Sequence, residues 1–329
     1  MNAQARPILS IRNLRIAFPG GAKPAIAVED LSLDLYPGQV TALIGESGSG
    51  KSATILAILG LLPAGTLVSG ELDLGQGRLS FADEKSLEAL RGKVVGTVFQ
   101  DPLASLNPVL SIGEQIDEVF QAHRGLSWRQ AREKSIELMG HVGLPDPPAR
   151  ARDFAHQLSG GQRQRAAIAM ALAGRPSVLL ADEPTSALDP TVQAQILDLL
   201  LALVEEGTAL LLVTHDLAFA AEAADRIAVI YAGRIVEHGP AAAVARDPIH
   251  PYTQALLAAS LPFGESMAGE LPGIPGRMPA PGEVSVGCVF APRCPFVREI
   301  CRQAPPPVVA LGEHEVACVL AADRGAPAR

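Results

Sequence analysis

The stretch GESGSGKS, Gly45 to Ser52, sets three glycines, a lysine and a serine in the spacing G-x-x-x-x-G-K-[ST]. Glycines let backbone N–H groups turn inward around an anion. Lys51 adds a cation able to reach β- and γ-phosphates, and Ser52 a hydroxyl for Mg²⁺. The apolar run VTALIG precedes the motif and the helix-forming SATILAILGLL follows it. That strand–loop–helix context separates a phosphate loop from a chance Gly-rich turn, and the helix N-terminus adds partial positive charge. Gly45, Glu46, Ser47, Gly48, Ser49, Gly50, Lys51 and Ser52 are therefore candidate phosphate contacts.

A second apolar run, SVLLADEP, ends in two adjacent acids. Asp182, at the end of a buried strand, can hold Mg²⁺ directly or through water. Glu183, next in the chain, can face an attacking water as general base. Adjacent acids also occur in solvated turns; the apolar strand leading into them argues against that. QLSGGQRQR, Gln157 to Arg165, combines a serine able to cap a helix with two glycines that allow close approach of an anion. Alone, it reads as a capped helix start.

The elements that must position these groups alternate. ILSIRNLRIAF and AIAVEDLSLDL are β-rich, and VTALIG, SVLLAD and ALLLVTH suit buried strands with helical segments between them. The pattern predicts an α/β fold with parallel strands. SIGEQIDEVFQAH and SWRQAREKSIELMGHVGL have helical spacing, with Ser127 and Gln130 forming a capping box. They read as an α-helical insertion at about 101–160. From residue 240 onward the chain holds 14 of its 27 prolines, and proline interrupts helices and central strands. The expected division is thus a domain over 1–240 and a small, loop-rich Pro/Cys-rich C-terminal domain over 241–329. With 48% hydrophobic and 19% charged residues the chain is globular, and a net charge of −8 gives no global basic excess for nucleic acid. The N-terminus shows no apolar signal segment, and Ser52 to Gly70, the longest uncharged stretch, reads as a buried helix and turn.

Taken together, GESGSGKS, Gln100 in VFQDP, LSGGQ, LLADEP, SALD at Ser186 to Asp189 and His215 in LLVTHD stand in an order and spacing that closely resembles the ATP-binding cassette of ABC transporters, over roughly residues 8–240. The resemblance implies a P-loop ABC ATPase core with a β-subdomain and a helical insertion. It implies that two cassettes pair head to tail around two ATP molecules. Ser159, Gly160, Gly161 and Gln162 would contact the ATP held by the partner. Gln100 would contact Mg²⁺ and report to the membrane subunits, Glu183 would be the catalytic base, His215 would contact the γ-phosphate, Asp189 would couple the two sites, and Phe18 would stack on adenine.

VFQDPLASLNPVLSIGEQI, ALDPTVQAQILDLL and IHPYTQALLAA further resemble the ATPases of bacterial oligopeptide and dipeptide importers. Nickel and other small-solute importers are close relatives. The resemblance to that branch implies a peripheral protein on the cytoplasmic face of the membrane. Its partners would be a second, different cassette, two permease subunits and an extracytoplasmic solute-binding protein. A cassette acting on nucleic acid is the reading from another class; the single cassette and the absence of basic runs argue against it.

All four cysteines lie in the tail, spaced Cys288-x5-Cys294-x6-Cys301-x16-Cys318. A reducing cytosol disfavours disulfides. Zinc usually takes tight C-x₂₋₄-C pairs, which are absent, whereas a four-iron cluster is bound by four cysteines at varied spacings. Four free, buried thiols are the plain alternative. The peptide-importer resemblance adds weight to a [4Fe–4S] cluster, because some members carry one on a similar tail. The expectation is a [4Fe–4S] cluster on these cysteines, with Zn²⁺ second, beside ATP and Mg²⁺ at the cassette.

Overall fold

The structure is a computed structural model; it describes residues 6–20, 24–75, 77–186, 188–259, 273–281, 283 and 286–325. The chain divides into two compact units, one of Met1–Ile8, Tyr36–Gln39 and Lys85–Leu211, the other of Leu9–Leu35, Val40–Glu84 and Leu212–Arg329. The contacts therefore do not divide at residue 240, and the C-terminal extension falls in the second unit.

In the first unit, the strands Val95–Val98 and Val178–Asp182 pair in parallel, from Val95 opposite Val178 to Val98 opposite Ala181. Every residue of Val178–Asp182 is buried, as a strand covered on both faces requires. Its helices are Ile112–Arg124, Trp128–His141, Gly160–Leu172 and Pro190–Glu205, with shorter turns of helix at Glu84–Glu88, Pro102–Ser105 and Pro147–Arg150. Ser127 and Gln130 form the capping box expected from the sequence, and Ser111 with Glu114 forms another. Arg132 reaches from one helix to the buried Asp117 of the other at 2.8 Å, pinning the pair. The buried charge is tolerated because it is paired and hydrogen-bonded.

In the second unit, the strands Leu9–Phe18, Ala25–Leu35, Leu67–Asp73 and Arg78–Ser80 make an antiparallel sheet, in which Leu9–Phe18 lies between Ala25–Leu35 and Leu67–Asp73. The fully buried strand Val40–Ile44 pairs in parallel with Arg226–Tyr231. Arg226–Tyr231 pairs antiparallel with Arg234–Pro240. The uncharged stretch after Lys51 gives the helix Lys51–Ile58, a turn, and the start of the strand Leu67–Asp73. Among the described residues, no helix is long and apolar enough to cross a membrane.

The tail builds a small core of its own, Ile249, Val316, Cys318 and Ala321 with Val309, Leu311 and Leu320 packed on them, and also joins the rest of its unit. Its hairpin, Val308–Leu311 with His314–Ala317, continues the sheet by pairing Glu237 with Val316 and His238 with Glu315. Tyr252 and Phe290 join Tyr231, Ile44 and Val229 in one buried cluster. The rings of Tyr231 and Tyr252 lie 4.6 Å apart and those of Tyr231 and Phe290 5.1 Å apart, both edge-on, an arrangement aromatic pairs favour. A single buried carboxylate organises the turn into the tail. Glu237 accepts the N–H groups of Ile249 at 2.7 Å and His250 at 3.0 Å, and lies 2.7 Å from His314 Nε2. The Nδ1 of His250 accepts the N–H of Tyr252 at 3.1 Å, which starts the helix Pro251–Ala259. Burial pushes the pKa of His250 down to about 3, so its ring is neutral.

Candidate functional site

The residues singled out by sequence divide between the two units. In the second unit, the buried strand Val40–Ile44 delivers the chain into the glycine loop, and the helix from Lys51 to Ile58 carries it away. Gly45 is fixed by close approach: a Cβ there would stand 2.2 Å from the carbonyl oxygen of Ile230. Gly50 is fixed by conformation. Its φ of 111° belongs to the region that side chains disfavour, and a Cβ would meet the Ala27 carbonyl at 2.9 Å. The loop thus turns tightly enough to present backbone N–H groups at the head of a helix.

Lys51 is buried, and its Nζ donates to the carbonyls of Gly45 at 2.6 Å and Glu46 at 3.0 Å. The ammonium is held over the loop, where a phosphate would lie. Ser47, Gly48 and Ser52 are exposed, and Ser49 is buried. His215 is exposed immediately after the strand Ala209–Thr214, and the Asp216 that follows caps the next helix by accepting from Phe219 N at 3.0 Å. Phe18 ends the strand Leu9–Phe18 half-buried, opposite Ala25.

In the first unit, Asp182 is the buried last residue of its strand. Glu183 leaves that strand at φ 44°, a left-handed conformation that costs a non-glycine residue about 1 kcal/mol. The bend brings its carboxylate to Gln100, whose Nε2 donates to Glu183 Oε2 at 3.2 Å. Two residues 83 positions apart, both picked out by sequence, therefore meet. The Glu183 carbonyl accepts from Ser186 Oγ at 3.1 Å, closing the turn. Ala187, within the SALD stretch, lies outside the described residues. Asp189 caps the helix Pro190–Glu205 by accepting from Val192 N at 3.1 Å.

Ser159 caps the helix Gly160–Leu172: its Oγ accepts from Gln162 N at 3.3 Å, and Gln162 Oε1 accepts from Ser159 N at 3.0 Å. Ser159 and Gly160 are exposed and Gly161 and Gln162 half-exposed. A Cβ on Gly161 would press to 2.8 Å of Val192 Cγ1, so glycine there is a packing requirement.

Nothing in the local sequence hints at what holds Glu46. Its backbone N–H donates to Tyr252 Oη at 2.9 Å, and its carboxylate takes Arg293 Nη1 at 3.0 and 3.1 Å. These partners are 206 and 247 residues away. No local spacing carries such a pairing.

The four cysteines do converge. Cys288, Cys294, Cys301 and Cys318 all line one small cavity, together with His250, Phe290, Phe296 and Leu320. Burial raises the thiols of Cys288, Cys294 and Cys318; backbone N–H groups of Phe290, Phe296 and Leu320 respectively pull them back, and neighbouring sulfurs push them up again. Cys301 Sγ accepts the N–H of Arg298 at 3.4 Å. N–H donors on sulfur favour thiolate, the form that binds metal. Four cysteines are the donor set a four-iron cluster uses. None of the four is in a disulfide, and among the described residues no group of three or more His, Cys, Asp or Glu is arranged to hold a metal ion. The described residues therefore give no support of their own to the expected [4Fe–4S] centre or to the zinc alternative.

Comparison with known proteins bears on both units. Residues 28–186 match the family described as ABC transporter, and residues 236–301 match the oligopeptide/dipeptide transporter C-terminal region. The chain is 47% identical over 323 residues to a peptide import ATP-binding protein of Brucella ovis, covering 94% of this chain and 95% of that one. It is 44% identical over 313 residues to the dipeptide transport ATP-binding protein DppD of Haemophilus influenzae, covering 94% of each. Among solved structures it resembles the dimeric ATP-binding cassette MJ0796 in a post-hydrolysis state bound to ADP and Pi, at a TM-score of 0.63 and 30% identity, covering 71% of this chain and 98% of that one. With the glycine loop, the paired Gln100 and Glu183 and the shared tail in view, the chain belongs to the ABC transporter ATPases, the ATP-hydrolysing cassettes, in the branch that carries the oligopeptide/dipeptide transporter C-terminal region.

Proposed function

We propose that this chain hydrolyses ATP to power import of di- or oligopeptides, working as a peripheral subunit on the cytoplasmic face of the membrane. The observation that carries the reading is the union, in one chain, of the cassette and the C-terminal region shared with peptide import relatives. Its partners are a second, different cassette, two permeases and a solute-binding protein. Functionally the cassette spans 1–240 and the extension 241–329, with a helical insertion at about 101–160.

The loop from Gly45 to Ser52 binds the phosphates, and Lys51, already poised above its carbonyls, turns to the β- and γ-oxygens. Ser52, Gln100 and Asp182 would hold Mg²⁺, which neutralises charge on the phosphate oxygens. Glu183 accepts the proton of the attacking water, and its bond to Gln100 orients the carboxylate. His215 contacts the γ-phosphate and Phe18 the adenine. Ser159, Gly160, Gly161 and Gln162 cap the ATP of the paired cassette, as the head of a helix can, and Asp189 couples the two sites. ATP binding favours the closed pair and hydrolysis releases it, because the closed state alone makes both sets of phosphate contacts. Cys288, Cys294, Cys301 and Cys318 would hold a [4Fe–4S] cluster, a reading supported by their four sulfurs lining one cavity and by the N–H donors on them; iron and acid-labile sulfide content tests it.

Glu183→Gln tests the assignment of the base. The variant is expected to bind ATP like wild type and to lose turnover by about a hundredfold or more, the scale of general-base catalysis. Near-normal hydrolysis would refute the role.

A further inference from the structure

We infer that Arg293, in the C-terminal extension, is a positioning residue for the phosphate loop, acting through Glu46. The inference rests on the reading of Gly45 to Ser52 as the nucleotide site.

Arg293 is a charged side chain with only 4% of its surface exposed. Every part of its guanidinium is engaged. Nε donates to the Pro275 carbonyl at 2.8 Å and Nη2 to the Ile274 carbonyl at 3.0 Å. Nη1 donates to both Glu46 carboxylate oxygens, at 3.0 and 3.1 Å, and to Tyr231 Oη at 3.3 Å. The guanidinium carbon also sits 5.8 Å from the centre of the Tyr231 ring, within the range of a cation–π contact. A buried cation needs a counter-charge, and the anion it reaches is the second residue of the phosphate loop.

The converse matters for function. The Glu46 carboxylate is one residue from Gly45, in a loop whose task is to gather negative phosphates. Lys51 Nζ, the cation for those phosphates, already leans on the Glu46 carbonyl. Unpaired, Glu46 would set a negative charge beside the triphosphate and compete for Lys51. Arg293 removes that charge from the field while Tyr252 holds the Glu46 N–H, so the loop is steadied at both backbone and side chain. Arg293 directly precedes Cys294, which places this strut between the cysteine cavity and the nucleotide loop.

The test is titration of the full chain with the fluorescent analogue mant-ATP in the presence of Mg²⁺, with melting temperature as a control for folding. Arg293→Gln is expected to bind about tenfold more weakly, within the usual range of coupling between two sites. The double variant Glu46→Gln/Arg293→Gln is expected to recover most of that loss, because the repelling charge is gone. A merely structural arginine would give no such rescue. Arg293→Lys, which keeps the charge but loses the fork that reaches the Pro275 and Ile274 carbonyls, serves if Arg293→Gln fails to fold and is expected to bind more weakly than wild type but more tightly than the glutamine variant. Wild-type affinity in Arg293→Gln, a double variant as weak as the single one, or Arg293→Lys weakened as much as the glutamine variant would each overturn the proposal. If wild type itself binds no mant-ATP, the nucleotide reading of the loop falls and the proposal falls with it.

Discussion

Acidification should loosen the anchoring of the tail through one histidine, and the size of the effect can be worked from the structure. His250 is buried, with 1% of its surface exposed, and accepts the Tyr252 N–H on Nδ1. Burial pushes its pKa to about 3, against an ordinary 6.5. Between those values the unfolded chain binds a proton that the folded chain refuses. Stability therefore rises with pH across that window and is lost as pH falls below 6.5. For one such group the loss from pH 7 to pH 5 is about 2 kcal/mol. His238, half-buried and pushed down to about 4 by desolvation, acts in the same direction, so wild type alone would not isolate the effect. His250→Asn removes the proton site and keeps an acceptor for the Tyr252 N–H. Urea unfolding of both proteins at pH 7 and pH 5, followed by circular dichroism, gives the difference directly. Wild type should lose about 2 kcal/mol more than the variant over that interval. Parallel pH profiles would refute the reasoning and mean that His250 takes up a proton in the fold.

Gly161→Ala should cost about 1–3 kcal/mol of stability by pressing on Val192, and Val192→Ala in the same chain should restore it. If melting temperature recovers while ATPase activity does not, Gly161 serves the nucleotide as well as the packing; if the second substitution recovers nothing, the contact is not the cause. For the cysteine cavity, protein purified without oxygen should carry about four irons and four acid-labile sulfides per chain; colourless protein with stoichiometric zinc would sink that proposal.

Much of the site was legible in the chain because its demands are local. A loop that wraps phosphate needs glycine where φ is positive or a neighbouring backbone is close, and Gly50 and Gly45 meet those needs within eight residues. A capping box spans four residues, so Ser127 with Gln130 and Ser159 with Gln162 could be read directly. The buried strands before Gly45 and up to Asp182 show as apolar runs because both faces are covered. By contrast, the strands Arg234–Pro240 and His314–Ala317 carry charged or polar residues through their length. Each forms a local hairpin, but their pairing with each other joins Glu237 to Val316 across a long stretch of chain, and no apolar run marks it.

The order and spacing of short motifs carried the family, along with the glycine loop after a buried strand, the acids at a strand end, the capped glycine turn and the histidine after its strand. Tertiary structure alone decided what the tail is for the rest of the chain. In sequence it reads as a separate, loop-rich module; folded, it extends a sheet, shares an aromatic cluster with Tyr231, and reaches the phosphate loop through Tyr252 and Arg293. The physical reason is distance along the chain. Periodicity and caps report interactions between residues a few positions apart, whereas the Arg293–Glu46 ion pair joins residues 247 positions apart and exists only once the intervening chain has packed.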